Sequence, residues 1–280
     1  MEVLGKNFMG FTPLIILFGI NISANAASKS AENDSEFQFQ MGCKFYSPTN
    51  RLRDYREAVH WLTKAAKQGH VKAQGMLGLC HFSGRGTPLN FKQAAYWLNL
   101  AADKNDPIAQ YSMGTLYTHG QGVTKNPTMA AEFYLKAAIQ GHAAAQTNLG
   151  AALESGNGVI QNLTEATRWY RKAAKQGYAT AQLNLGKMYA SGRGVHKDST
   201  KAAEWYATAA EQDDARAQFL LGTCYYFGSG RPQDFVLAYK WIKLSAKSGH
   251  NTAQEYLPTA AAKLNPKQLV EAQKMPSPSK

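Results

Sequence analysis

The small and apolar residues of this chain return with a fixed step. Ala-Gln stands at Ala73-Gln74, Ala109-Gln110, Ala145-Gln146, Ala181-Gln182, Ala217-Gln218 and Ala253-Gln254, every interval being 36 residues. Four residues after the Gln comes a glycine, at Gly78, Gly114, Gly150, Gly186 and Gly222, and Gly42 keeps the register one unit earlier. The residue before each of these is apolar: Met41, Leu77, Met113, Leu149, Leu185 and Leu221. All five tryptophans, Trp61, Trp97, Trp169, Trp205 and Trp241, share one position of the frame, with Phe133 in the remaining slot. Self-similarity of this kind identifies a repeat architecture before any other reading of the chain.

Each unit predicts two helices. In the first, Ala, Leu and an aromatic fall at i, i+4 and i+8, one face of a 3.6-residue period. The aromatic slot holds Phe45, Tyr117, Tyr189 and Tyr225, with His81 and Leu153 as variants. A glycine inside a helix costs ~1 kcal/mol, so its recurrence predicts close approach of the partner helix. The second helix reads Ala-Ala-x-Trp-Tyr-x-x-Ala-Ala, as in Ala202 to Ala210. There the alanines are contact residues and the Trp is expected to supply most of the buried area. One pair of such helices cannot bury its apolar faces, whereas stacked neighbours can.

Turn chemistry separates the helices. Within units, Gly-x-Gly recurs at Gly84, Gly120, Gly156, Gly192 and Gly228, in each case after a helix, so the motif is a turn and not a phosphate loop. Between units the second helix stops at Gly69, Asn105, Gly141, Gly177, Asp213 and Gly249, the residue types that best tolerate a left-handed backbone. Both ends depart from the frame. Ser47 to Asp54 replaces the first Gly-x-Gly, and Pro258 stands where the last glycine belongs, interrupting or kinking a capping helix expected through Ala260 to Leu264.

The combined cadence, Ala-Gln-x-x-Leu-Gly, Tyr, Gly-x-Gly-Val, Ala-Ala-x-Trp-Tyr and Ala-Ala-x-x-Gly, resembles the SEL-one-like repeat, a relative of the tetratricopeptide repeat. The resemblance covers roughly residues 37 to 257. It implies an all-α fold, a right-handed α/α superhelical solenoid of about six 36-residue two-helix repeats with a C-terminal capping helix. It also implies a concave groove lined by the first helices and an adaptor role, often in bacterial envelopes or at the host interface. The expected organisation is 1–26 signal peptide, 27–34 flexible N-terminus, 35–264 repeat solenoid, and 265–280 short helix and disordered tail.

The signal peptide rests on the uncharged run Phe8 to Ile22 followed by Ser23-Ala24-Asn25-Ala26, with cleavage expected after Ala26. A single Lys6 offset by Glu2 makes a weak n-region. An uncleaved anchor is the competing reading, against which the run falls short of the ~20 residues a membrane helix needs. Removal of one acid and one base leaves the formal net charge at +12. In an envelope compartment a basic surface meets lipid phosphates, wall polymers and acidic protein patches, or serves only solubility. Nucleic acid fits worse, because the basic residues are scattered. Periplasmic or secreted localisation, a protein partner, membrane contact at most peripheral and a monomeric state complete the expectation.

Catalytic, metal and cofactor sites are expected to be absent. Three cysteines, Cys43, Cys80 and Cys224, cannot form a disulfide framework, although Cys43 and Cys80 lie in neighbouring first helices. Cys80 and Cys224 occupy the same slot four units apart, too far to bridge. His70, His142 and His250 follow the terminal glycines of separate units, and His81 fills a core slot. Cysteine-rich secreted relatives are associated with β-lactam binding or hydrolysis, but this chain lacks their repeat-by-repeat cysteine pairs. An enzyme of the cell wall or of β-lactams is the alternative function, and attachment to anionic surfaces is a third.

Analogy with tetratricopeptide geometry places the partner-facing residues at the second, fifth, sixth, ninth and twelfth slots, counting the motif glycine as eighth. The analogy selects Tyr111, Thr115 and Thr118, then Thr147, Asn148 and Glu154, then Asn184 and Lys187, then Arg216, Phe219, Thr223 and Tyr226. Of these, Tyr111, Thr115, Asn148, Asn184, Lys187, Arg216, Thr223 and Tyr226 are the candidate partner-binding residues. Amides and cations along a groove suit an extended peptide backbone and an acidic side chain or C-terminus. The competing reading is an ordinary solvated face.

Overall fold

The computed structural model describes residues 33–47 and 54–274. The signal peptide 1–26, most of the N-terminal segment, the replaced first turn and the tail from Met275 lie outside the described residues. Twelve helices form six two-helix units: α1 Ser35–Tyr46 with α2 Tyr55–Lys67, α3 Val71–Ser83 with α4 Phe91–Asp103, α5 Pro107–His119 with α6 Pro127–Ile139, α7 Ala143–Ser155 with α8 Leu163–Lys175, α9 Ala179–Ser191 with α10 Ser199–Ala210, and α11 Ala215–Phe227 with α12 Phe235–Lys247. Two more, α13 Asn251–Ala261 and α14 Pro266–Lys274, close the array. No strand occurs among the described residues. Each helix packs chiefly on its neighbours in sequence, and the whole is the all-α right-handed solenoid that the repeat resemblance implies.

The motif glycine is set by its neighbour across the unit. A Cβ on Gly78 would stand 2.6 Å from Leu98 Cγ, and one on Gly150 would stand 2.8 Å from the Tyr170 ring. The same slot opposite Gly42, Gly114, Gly186 and Gly222 holds Leu62, Tyr134, Tyr206 and Ile242. These residues follow the Trp, and they carry the burial. Leu62, Leu98, Tyr170 and Ile242 are almost wholly enclosed, while Trp61, Trp97, Trp169 and Trp205 are only half-buried. In the Trp slot itself Trp241 and Phe133 are also buried, at 8% and 6% exposed. The indole lies over the seam between units with one face outward, and on α2 and α8 a lysine covers it, Lys64 at 4.5 Å from Trp61 and Lys172 at 3.9 Å from Trp169.

Helix ends follow the turn chemistry. Asn105 and Asp213 take φ of 63° and 62° where the other units use glycine. In the Gly-x-Gly turns, the first glycine is a left-handed C-cap, as at Gly84 with φ 69°. The second packs the turn onto the second helix of the preceding unit: a Cβ at Gly86 would fall on the Tyr55 carbonyl. At the far end α13 continues through Pro258 and stops at Ala261, three residues short of the expected Leu264. There Asn265 and Gln268 exchange hydrogen bonds of 2.9 and 3.0 Å, a capping box that restarts the chain as α14.

The Ala-Gln signature acquires a physical cause. Gln74 Nε2 donates to the Ala66 carbonyl at 3.1 Å, and Gln110, Gln146, Gln182, Gln218 and Gln254 repeat this bond to Ala102, Ala138, Ala174, Ala210 and Ala246. Each is a second donor to a last-turn carbonyl of the preceding unit, which also accepts the backbone N–H three residues on, as Ala66 does from Gly69 at 3.0 Å. A second glutamine, thirty residues on, donates to the first: Gln68 to Gln38, Gln140 to Gln110, Gln176 to Gln146 and Gln212 to Gln182, at 2.7 to 2.9 Å. Two units lack this second glutamine. Lys104 turns to the Gly69 carbonyl at 3.1 Å, and Ser248 is too short to reach. In these two units the buried oxygens Gln74 Oε1 and Gln218 Oε1 have no hydrogen-bond partner.

Candidate functional site

The first helices carry the candidate residues, and the structure brings some of them together. Tyr111 on α5 is half-buried, with its ring stacked on His142 at 4.7 Å and tilted against Tyr134 at 6.0 Å. Burial pushes its phenol up to about 12, against the smaller pull of side-chain hydrogen bonds with Thr115 and Asn148. Thr115 Oγ1 donates to the Tyr111 carbonyl at 3.2 Å, and Asn148 on α7 lies near the same phenol. One unit on, the Tyr170 phenol donates to Glu154 Oε2 at 2.8 Å, and Asn184 on α9 lies near enough to lower the phenol's pKa slightly. Burial drives that phenol far above the usual tyrosine range, and the Glu154 carboxylate adds to the effect. Arg193 Nη1 closes the group on Glu154 Oε1 at 2.7 Å.

Asn148 and Asn184 occupy the same slot of successive first helices, each near a tyrosine phenol whose pKa it lowers. Lys187, nearby on α9, is exposed and forms no ion pair among the described residues. The other candidates stand apart. Arg216 is held by Asp214, the N-cap of α11, at 2.7 Å, so it is not an unpaired cation. Thr223 Oγ1 donates to the Leu220 carbonyl at 2.7 Å. Tyr226 does not offer an exposed face: it is buried among Phe227, Phe235 and Tyr256, with ring centroids at 4.9 to 5.4 Å. The two-helix analogy misplaces it because the capping helix α13 covers the last unit. Arg193, which completes the central group, sits in the Gly-x-Gly turn outside the slots that analogy selects.

That turn position recurs. Arg85 Nη1 reaches Tyr46 Oη at 3.3 Å, and Arg193 reaches Glu154, in both cases across 39 residues from one turn to the first helix of the preceding unit. At the joint between the fifth and sixth units the corresponding residues are Ser229 and Ala190, both small. Between them opens a cavity of about 390 Å³, lined also by Tyr206, Leu220, Thr223 and Phe227.

The histidines and cysteines have structural roles. His70, His142 and His250 are N-caps of α3, α7 and α13, each accepting a backbone N–H at Nδ1 over 3.1 to 3.2 Å. Each stacks on the aromatic at the fifth slot of its own unit, Phe39 at 4.4 Å, Tyr111 at 4.7 Å and Phe219 at 5.1 Å. Where the cap is Asp106, Tyr178 or Asp214, that slot holds Gly75, Thr147 or Leu183. The pairing is visible in the sequence as covariation between two positions of the repeat. His81 is half-buried, and burial lowers its pKa. All three cysteines are free thiols, and Cys43 Sγ packs 3.8 Å from Met76 Sδ, with no Cys43–Cys80 bond. Burial raises Cys43 and Cys224 to about 11 and Cys80 to about 12, so the protonated thiol prevails at neutral pH. No group of three or more His, Cys, Asp or Glu among the described residues is placed to hold a metal ion.

The Sel1 repeat family profile matches six consecutive segments, residues 35–70, 71–106, 107–142, 143–178, 179–214 and 215–250. Among solved structures, c5321, a protective antigen present in uropathogenic Escherichia coli strains and displaying an SLR fold, is 31% identical with a TM-score of 0.79. The match covers 87% of this chain and 53% of that one, so this chain spans about half the antigen's length. A Sel1 repeat protein from Oxalobacter formigenes is 33% identical with a TM-score of 0.75, over 85% of this chain and 97% of that one. No curated protein matches the chain.

Proposed function

Because the chain belongs to the Sel1 repeat family, whose members are generally protein–protein interaction scaffolds, we propose that it is a non-enzymatic adaptor of the cell envelope or host interface. Its partner is a polypeptide laid along the first-helix face from Tyr111 to Lys187. One observation carries this reading. Asn148 and Asn184, one repeat apart, stand half-buried at the same slot of α7 and α9, close enough to the Tyr111 and Tyr170 phenols for each to lower its neighbour's pKa. An amide offers both donor and acceptor and so pairs with a peptide backbone. Lys187 adds an unpaired cation for a carboxylate.

Compartment is part of the proposal. The apolar run before Ala26 supports export, with a mature chain starting at Ala27. That the similar Escherichia coli protein is a protective antigen favours the same side of the membrane. No helix among the described residues is long and apolar enough to cross a membrane.

The test is affinity capture from envelope extract at moderate and high salt, using protein beginning at Ala27 and an Asn148→Ala/Asn184→Ala/Lys187→Ala control. A defined protein retained by the wild type at both salts and lost by the control supports the adaptor reading. Equal retention by both, stripped by salt, overturns it and leaves the basic surface as the working feature.

A further inference from the structure

The joint between the fifth and sixth units differs from the others. At the joints where Arg85 and Arg193 stand, the turn side chain crosses to Tyr46 or Glu154 and fills the gap between first helices. At Ser229 and Ala190 neither side chain reaches, and the cavity of about 390 Å³ takes the place of that contact. Pockets that hold drug-sized ligands begin at ~300 Å³, so the space is large enough for an aromatic side chain.

Its walls are chemically mixed in a particular way. Leu220 and Phe227 are apolar, and Phe227 stands 65% exposed at the rim, an unusual position for so large an apolar ring. Tyr206 is only 4% exposed, yet its hydroxyl makes no hydrogen bond among the described residues. The equivalent hydroxyls of Tyr134 and Tyr170 are satisfied, by Thr118 at 3.0 Å and Glu154 at 2.8 Å. The Tyr206 hydroxyl lacks the protein partner its counterparts have and is not wholly enclosed, so it is free to bond a group docked in the cavity.

Charge at the mouth is positive. Lys197 lines the cavity, is exposed, and forms no ion pair among the described residues, while the adjacent carboxylate, Asp198, is engaged by Lys201 at 2.7 Å. Arg231, whose Nε is buried without a partner, lies close enough to lower the Cys224 thiol against its burial.

The geometry points to this cavity as a socket for a tyrosine side chain of the partner polypeptide, with an acidic residue beside that tyrosine meeting Lys197. The ring fills the space between Leu220 and Phe227, and its polar tip completes the Tyr206 hydroxyl. Amphipathic aromatics suit a pocket whose walls are apolar and which offers a hydroxyl to a polar tip. The inference rests on the adaptor reading and gives it a second anchor, one joint beyond the asparagine pair.

The probe is acetyl-Asp-Tyr-Asp-amide, titrated into the protein beginning at Ala27 and followed by the methyl resonances of Leu220 and Thr223. A saturable shift with a Kd of roughly millimolar order is expected, because one anchoring side chain must offset the ordering cost of a flexible peptide. Replacing the probe tyrosine with alanine should abolish the shift, and replacing both aspartates with asparagines should weaken binding ~3-fold at low salt. Tyr206→Phe should weaken the tyrosine probe ~5-fold and leave a phenylalanine probe unchanged, as the loss of one hydrogen bond requires.

The decisive variant is Ala190→Glu/Ser229→Arg, which installs the pair already present one joint earlier and so keeps the fold. It should retain the wild-type helical signal and lose at least ~10-fold in affinity, because filling a socket evicts its occupant. No shift in the wild type at saturating probe, or an equal shift in the filled variant, overturns the socket. A captured partner that still depends on Asn148, Asn184 and Lys187 would in that case leave the adaptor reading standing.

Discussion

Two glutamine oxygens show how far a single residue controls this array. Gln218 Oε1 is buried without a partner because Ser248, thirty residues on, is too short to reach it. The backbone at Ser248, φ −80° and ψ 8°, matches that at Gln140, φ −77° and ψ 3°, which makes the bond in its own unit. Ser248→Gln should therefore restore the missing contact without strain. A net gain of ~1 kcal/mol is expected for a new hydrogen bond to a buried acceptor, read as a higher urea midpoint and slower amide exchange in α11 and α12. No change in either would mean that the buried oxygen costs nothing. The Ala-Gln pair itself stands out in the sequence, but its reason does not. A pattern search records recurrence, while the bond that explains it joins one unit's side chain to the previous unit's carbonyl, a relation visible only once helices are stacked.

At the scale of the helix, ends matter more than middles. The period located every first and second helix, because Ala, Leu and the aromatic sit one turn apart. The left-handed stops at Gly69, Asn105 and Asp213 followed from residue type. What remained hidden was the start of the first helices. His142 caps α7 through Nδ1, and its ring lies against Tyr111, with Asp106 the charged group acting on it. Burial lowers the His142 pKa, and Asp106 opposes this only in part. A histidine with a lowered folded pKa contributes stability that is complete above its unfolded pKa of ~6.5 and is lost as pH falls through the folded value. Protonation at Nδ1 also removes the acceptor that makes the cap. The array should thus weaken in acid, with α7 opening first. His142→Asp keeps a capping acceptor of the kind used at Asp106 and Asp214, and should flatten the dependence between pH 7 and 5. Urea midpoints across that range for both proteins decide the matter; parallel slopes would exonerate His142.

The whole molecule is a row of contacts between neighbours, and its joints are not equal. The joint between the fifth and sixth units has both the Ala190–Ser229 cavity and, on Gln218, a glutamine oxygen left bare. At the joint between the third and fourth units Gln146 Oε1 is met by Gln176 at 2.8 Å. Sequence alone reveals such unevenness only in part: small residues at two positions 39 apart signal a gap when compared with Glu154 and Arg193, but the comparison requires knowing that those positions touch. The candidate site was legible to the same extent. Asn148 and Asn184 recur at one slot and are both half-buried, whereas Tyr226 was lost to the capping helix, which no internal period can describe.

The glutamine bonds also work as a ruler. Each one reaches from a unit to the carbonyl just before it, so the chain measures its own length in whole steps. Excising residues 143–178 would join His142 directly to Ala179, and Gln182 would then face the Ala138 carbonyl in place of Ala174. Gln140, released from its present stretch of chain, would still meet Gln110. A protein shortened by that one unit of 36 residues should fold cooperatively and melt at a somewhat lower temperature, whereas removing one residue fewer should leave it unable to close the joint. Circular dichroism melts of the two deletions would tell them apart. A gene built of such near-copies can lengthen or shorten by recombination and still encode a folded product, so the number of steps is free to follow the size of what is bound.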